Sequence, residues 1–192
     1  MRMAKIERST TETRVLMELN LDGSGKFKGG TGIPFMDHML QLFTYHGAFN
    51  LFVDAQGDLE VDSHHTVEDV GICLGKCIDE ALGTREGINR YGAAWIPMDE
   101  ALAMAVLDIS GRPFLSYDVP VTNEKVGTFD VELAEEFFRA VSIHGGLTLH
   151  IRLLQGKNSH HIIEAVFKAF GRALKEAAAL TGTGIPSTKG LI

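Results

Sequence analysis

The chain has 192 residues, of which 45% are hydrophobic, and a formal net charge of −7. That is enough apolar material for one compact unit or two small halves, and the acidic balance argues against nucleic acid or an anionic membrane as the main partner. No apolar run approaches membrane-spanning length, the charged stretch Met1–Thr13 has no secretory core, and Cys73 and Cys77 read as core thiols of a reducing cytoplasm.

In chain order, Val15, Met17, Leu19 and Leu21 alternate with mostly polar residues, predicting a half-buried strand, and Asp22–Gly25 predicts a turn. Phe35, Met39, Leu42 and Phe43 share a face of a helix spanning Phe35 to His46. Short strands are expected at Leu51–Val53 and Leu59–Val61, around Gln56-Gly57. A helix opening at His64 carries Val67, Val70, Leu74, Ile78, Ala81 and Leu82. The order then resembles itself. Ala101–Ile109 predicts a strand, with Phe114–Val119 as its hairpin partner across Ser110–Pro113. Leu133–Val141 predicts a helix, Leu147–Ile151 a strand, Gln155–Ser159 a turn, and Ile163, Phe167, Phe170 and Leu174 a last helix. The pattern is an α+β fold of two similar half-domains, 1–88 and 89–192, with a seam near Gly83–Tyr91. Each half would be a mixed β-sheet with two helices, the helices sandwiched between the sheets. Packed about a pseudo-twofold, the halves would bring their matching segments together.

Those segments carry the chemistry. His64-His65-Thr66-Val67-Glu68 and His160-His161-Ile162-Ile163-Glu164 are both His-His-x-x-Glu, each opening a helix. Residues four apart share a helix face, so His64 with Glu68, and His160 with Glu164, can each clamp an ion. His65 and His161 point away and would serve the opposite ion, giving the crossed sets His64, Glu68, His161 and His160, Glu164, His65. Imidazole and carboxylate donors without thiolate suit Mn, Fe, Co, Ni or Zn. Taken singly, either pair could be a solvated helix start. Counting back to the preceding helix of each half finds His38 and Glu136 as further donors, His38 for the ion of His65 and Glu136 for that of His161. Glu136 on pattern alone is equally a solvated carboxylate. His46, His144 and His150 have no matching partners and read as loop or packing residues.

Arg8–Thr13, Phe35–Leu40, Asp62–Asp69, Asn89–Gly92, Pro97–Glu100, Asp108–Pro113, His160–Glu164, Phe167–Phe170 and Pro186–Gly190 together resemble the imidazoleglycerol-phosphate dehydratase family over nearly the whole chain. The resemblance implies two superposable halves with helices between sheets, two Mn2+ per active site, and a homo-oligomer of twenty-four subunits with active sites shared between chains. It implies dehydration of D-erythro-imidazole glycerol phosphate, a small phosphorylated imidazole, to imidazole acetol phosphate through an imidazolate and a diazafulvene. It points to Glu12 as the general acid/base and to Arg90, Arg112, Lys168, Ser187 and Lys189 as the phosphate grip. The Gly182–Gly190 tail, rich in Gly, Ser and Thr, reads as a segment that orders over bound phosphate. Two residues depart from some relatives: Glu136 stands where those carry His, and Leu42 where those carry Gln. The residues alone also fit a dimetal phosphoester hydrolase, or a non-catalytic metal-binding assembly protein that would leave the Arg, Lys and Ser unexplained.

Overall fold

Alternating burial builds two sheets. In β2 (Thr13–Asn20), Thr13, Val15, Met17 and Leu19 turn inward and are buried, while the residues between are exposed or half-buried. β6 (Ala101–Asp108) repeats the pattern with Ala101, Ala103, Ala105 and Leu107. The computed structural model describes all residues, 1–192. Its first sheet contains β1 (Met3–Ser9), β2, β3 (Lys26–Gly30) and β4 (Asn50–Gly57) in the order β1-β2-β4-β3. Its second contains β5 (Tyr91–Met98), β6, β7 (Phe114–Asp118) and β10 (Thr148–Gln155) in the order β5-β6-β10-β7. The orders correspond strand for strand, and in each sheet one edge pair, β3–β4 or β7–β10, is parallel. A small hairpin, β8 (Lys125–Val126) with β9 (Phe129–Asp130), is the second half's addition.

Four helices fill the space between the sheets: α1 (Pro34–Gly47), α2 (His64–Leu82), α3 (Leu133–Gly145) and α4 (Ser159–Ala178). α2 lies on β1 and β2, and α4 on β5 and β6. The mid-layer core is aromatic: Phe43 stacks on Phe170 at 5.3 Å, and Phe138 meets Phe167 at 4.8 Å. Both thiols are free and buried, Cys77 Sγ lying 3.7 Å from the Met17 carbonyl of β2. Burial pushes Cys73 up to about 11 and Cys77 to about 12.

Helices of opposite halves pair, α4 with α1 and α2 with α3. Each pair closes on a glycine eleven residues beyond the first histidine of its signature. A Cβ on Gly171 would sit 2.6 Å from the Phe43 carbonyl oxygen, and one on Gly75 2.8 Å from that of Val141. Phe43 follows His38 by five residues, as Val141 follows Glu136. The two crossings are therefore the same contact in register. This pairing corrects one expectation. The two signatures do not face each other within a chain, because α2 is packed on α3 and α4 on α1.

Other expectations are also revised. Leu59–Val61 is a turn: the Val61 amide donates to the Asp58 carbonyl at 2.8 Å, and Val61 is exposed because the segment has no sheet face to bury. β7 is not the hairpin partner of β6. That partner is β5, across a turn at Asp99-Glu100. The Ser110–Pro113 segment instead carries the chain across to β10, held by Ser110 Oγ against Thr148 Oγ1 at 2.9 Å and by the Phe114 amide donating to the Leu147 carbonyl. β1, β3 and β5 carry charged, Gly-rich or small residues and leave no clear apolar alternation to read.

Candidate metal centre and its surroundings

Both signatures begin helices, for reasons in the chain. Asn158 caps α4, its side-chain oxygen accepting from the amides of His160 and His161 at 2.9 and 3.3 Å. At α2 the Asp62 carboxylate accepts from the His64 amide at 2.7 Å. His160 Nε2 then lies 3.3 Å from Glu164 Oε2, and His64 Nε2 3.9 Å from Glu68 Oε2. The spacing argument thus holds in both copies.

The α1–α4 crossing adds a third donor. His38 Nε2 approaches Glu164 Oε2 to 3.6 Å, and ligand atoms of His38, His160 and Glu164 all lie within 4.8 Å of one another. Metal–ligand bonds of about 2.1 Å place neighbouring ligands ~3 Å apart and opposite ones ~4 Å apart. The three donors therefore fit one divalent ion with little movement. Glu164 is buried, and Lys168 Nζ meets its Oε1 at 2.6 Å. Burial opposes ionisation of Glu164, but the Lys168 hydrogen bond and charge, with His38 and His160, outweigh it and hold the carboxyl below its ordinary value.

His64, Glu68, Glu136, His65 and His161 lie outside that group. Glu136 occupies on α3 the register of His38 on α1, and its carboxylate stands 3.5 Å from Arg139. His65 turns toward the β1–β2 turn, with Nδ1 3.0 Å from Asp58 and 3.7 Å from Glu12. Glu12, His65 and Glu68 line one cleft of about 110 Å³ with Arg8 and Asp69. Arg8 and Thr13 both bond the buried Asp69, tying the Glu12 turn to α2. His161 turns the other way, its Nδ1 2.8 Å from Glu100. Each second histidine thus leaves its own clamp, as read from spacing, and within one chain reaches neither set.

The proposed phosphate residues divide. Lys168 is at the metal cluster. Arg90 forms a two-point pair with Asp108 at 2.7 and 3.1 Å and donates to the Pro186 carbonyl at 2.8 Å. Arg112 is exposed, 4.0 Å from the same Asp108. Ser187 Oγ accepts from the Lys189 amide in the adjoining tail. The Arg90 amide bonds the Ala177 carbonyl, at the far end of α4 from His160. At 1.5 Å per residue the Arg90 backbone is roughly 25 Å from that of His160 in one chain.

Sequence reasoning missed Asp58, Asp108 and Glu100 as partners of site residues. It also left His46 and His144 unmatched. They are in fact equivalent, each eight residues after His38 or Glu136. Both are held below the ordinary histidine value by burial, and then by cations, Lys168 and Arg172 for His46, Lys76 and Arg8 for His144.

A duplicated α+β sandwich with imidazole–carboxylate pairs at its helix starts defines a protein of two like halves, one of whose crossings gathers donors that could hold a metal ion. The family model described as imidazoleglycerol-phosphate dehydratase matches residues 31–174. The protein of that name from Desulforamulus reducens is 56% identical over 100% of this chain and 98% of its own, and that from Exiguobacterium is likewise 56% identical over 100% and 99%. Crystal structures of the Staphylococcus aureus and Pyrococcus furiosus proteins superpose with TM-scores of 0.84 and 0.85. They are 46% and 35% identical, covering 94% and 97% of this chain and 99% and 100% of theirs. The chain belongs to the imidazoleglycerol-phosphate dehydratase family.

Proposed function

We propose that the chain dehydrates D-erythro-imidazole glycerol phosphate to imidazole acetol phosphate in cytoplasmic histidine biosynthesis, with two Mn2+ per active site. The observation that carries the reading is the His38–His160–Glu164 cluster in a chain of this family. His38, His160 and Glu164 would hold one ion and His64, Glu68 and Glu136 the other, His65 and His161 completing them from neighbouring chains. Bound divalent ions supply Lewis acidity and a template for the imidazole ring.

The reaction is difficult because the departing proton sits on a carbon with no adjacent carbonyl, and hydroxide leaves poorly. Glu12 would take the ring N–H proton and pass it to the hydroxyl on the attached carbon; the electron-rich ring then expels that hydroxyl as water and is left as a diazafulvene, with Glu12 again a carboxylate. Glu12, on an exposed turn beside His65, would then remove the proton from the next carbon; the enol that results becomes the ketone. Arg90, Arg112, Ser187 and Lys189, with Lys168, would hold the phosphate, and Asp108 keeps Arg90 oriented toward the tail. The tail, Gly182–Gly190, would close over it.

The separation of Arg90 from His160 along α4 supports sharing between chains. A substrate of about ten heavy atoms in length cannot bridge a helix's length, so one chain's phosphate grip must serve another's metal ligands. A homo-oligomer, twenty-four subunits in this reading, supplies that arrangement.

The test is turnover of imidazole glycerol phosphate by the purified, Mn-loaded protein, beside His64→Ala and His160→Ala. Ketone formation by the parent, lost in both folded variants, is expected. Release of inorganic phosphate instead would make the protein a hydrolase, and full activity in either variant would remove the two clamps from the mechanism.

A further inference from the structure

The second histidine of each signature is held in the same way by a carboxylate that is not equivalent in the repeat. His65 Nδ1 lies 3.0 and 3.2 Å from the two oxygens of Asp58, just after β4. His161 Nδ1 lies 2.8 Å from Glu100, in the β5–β6 turn. The ring arrangement is also repeated: His64 and His65 are 6.1 Å apart at 88°, His160 and His161 6.3 Å apart at 76°. Had the contact simply been copied with the half-domain, both carboxylates would come from one element. They come from two, so the same constraint has been met twice by different backbone.

A carboxylate on Nδ1 takes that nitrogen's proton as a hydrogen bond and leaves Nε2 as the lone-pair donor, fixing tautomer and ring orientation together. We propose that Asp58 and Glu100 are positioning residues that hold His65 and His161 with Nε2 presented outward, as a ligand to a divalent cation in the site completed by a neighbouring chain. The inference rests on the metal-site reading above and adds to it two residues that act through those imidazoles. Asp58 is the cleaner case, because its side chain bonds only His65. Glu100 also accepts from the amides of Lys157 and Asn158 and so anchors the loop before α4.

The test is Mn2+ titration of the metal-stripped, full-length assembly, followed by electron paramagnetic resonance and calorimetry. It would compare the parent with Asp58→Ala, Asp58→Asn and Glu100→Gln, with thermal midpoints of each metal-free protein alongside. Loss of such a partner typically weakens metal binding about 10–100-fold. The expected result is that loss in Asp58→Ala, a smaller one in Asp58→Asn, which keeps an oxygen acceptor, and an unchanged metal-free midpoint. Parent-like affinity in a folded Asp58→Ala protein overturns the inference. So does an equal loss in the Ala and Asn variants that tracks a lowered metal-free midpoint, since that marks a structural role. If Asp58→Ala does not fold, Asp58→Asn and Glu100→Gln decide it, parent-like affinity in both rejecting the role. A parent that binds no Mn2+ is a different failure, that of the metal reading itself.

Discussion

Replacing Gly171 with Ala should loosen the protein and its metal cluster together. The added methyl would stand 2.6 Å from the Phe43 carbonyl oxygen and 3.3 Å from the Gly47 amide nitrogen, both backbone atoms that cannot swing aside. Ordinary contact needs about 3.4 Å or more, so α1 and α4 must part by several tenths of an ångström at least, disturbing the Phe43–Phe170 stack. Overpacking of this kind costs about 1–3 kcal/mol, and the gain from Ala over Gly in a helix returns ~0.5–1 kcal/mol. The net loss is about 0–2.5 kcal/mol, and its midpoint of ~1.25 kcal/mol corresponds to roughly 2.5–5 °C in a chain of this size. The site should feel it unevenly. His160 and Glu164 share α4 and keep their 3.3 Å approach, whereas His38 rides on α1 and retreats from its 3.6 Å contact. Urea unfolding of the metal-free protein and Mn2+ titration should therefore both shift. A Gly171→Ala protein as stable as its parent, with parent-like metal affinity, would refute the claim that this crossing sets the cluster.

Gly75→Ala should act likewise at the α2–α3 crossing, with at least as large a stability loss, because its methyl would meet the Val141 carbonyl oxygen, the Gly145 amide nitrogen and His144 Cβ at 2.8, 2.9 and 2.9 Å. Lys168→Met leaves Glu164 buried without its cation; unfolding should show a loss of up to about 3 kcal/mol, and KM for the phosphorylated substrate should rise. Ending the chain at Gly184 removes the Pro186 carbonyl from Arg90, so KM should rise sharply at unchanged metal content; unchanged kinetics would reject closure by the tail. Cys73 and Cys77, with thiols raised to about 11 and 12 by burial, should stay silent to a thiol reagent at pH 8 until denaturant is added. Rapid labelling of the native protein would contradict their placement.

Much of this was legible because burial and repetition leave a trace in residue order. The alternation at Val15–Leu21, the helical period after His64 and the doubled signature each reflect one buried face or one clamp. Strand pairing was not legible. Nothing in Phe114–Val119 says that its neighbour is β10 rather than β6, since the pairing is a parallel backbone ladder with a strand 34 residues further on, Thr148 opposite Phe114, and any apolar strand could supply it. β1 and β3 were missed for another reason: edge strands bury one thin side, and charges and glycines blur it. The site followed the same division. His160 with Glu164 could be read from helical spacing. His38 needed the repeat as a guide. Asp58 and Glu100 could not be found at all, being set by where loops end in space.

On the proposed function, the length of α4 sets Arg90 and the tail apart from the His160 clamp as a handle separates two jaws that never meet on the same tool. On that reading a reaction needing both is a property of neighbours, and a surface mutation that weakens contact between copies would silence turnover while every proposed catalytic side chain stayed in place. For a chain so built, natural selection on how copies adhere is inseparable from selection on rate.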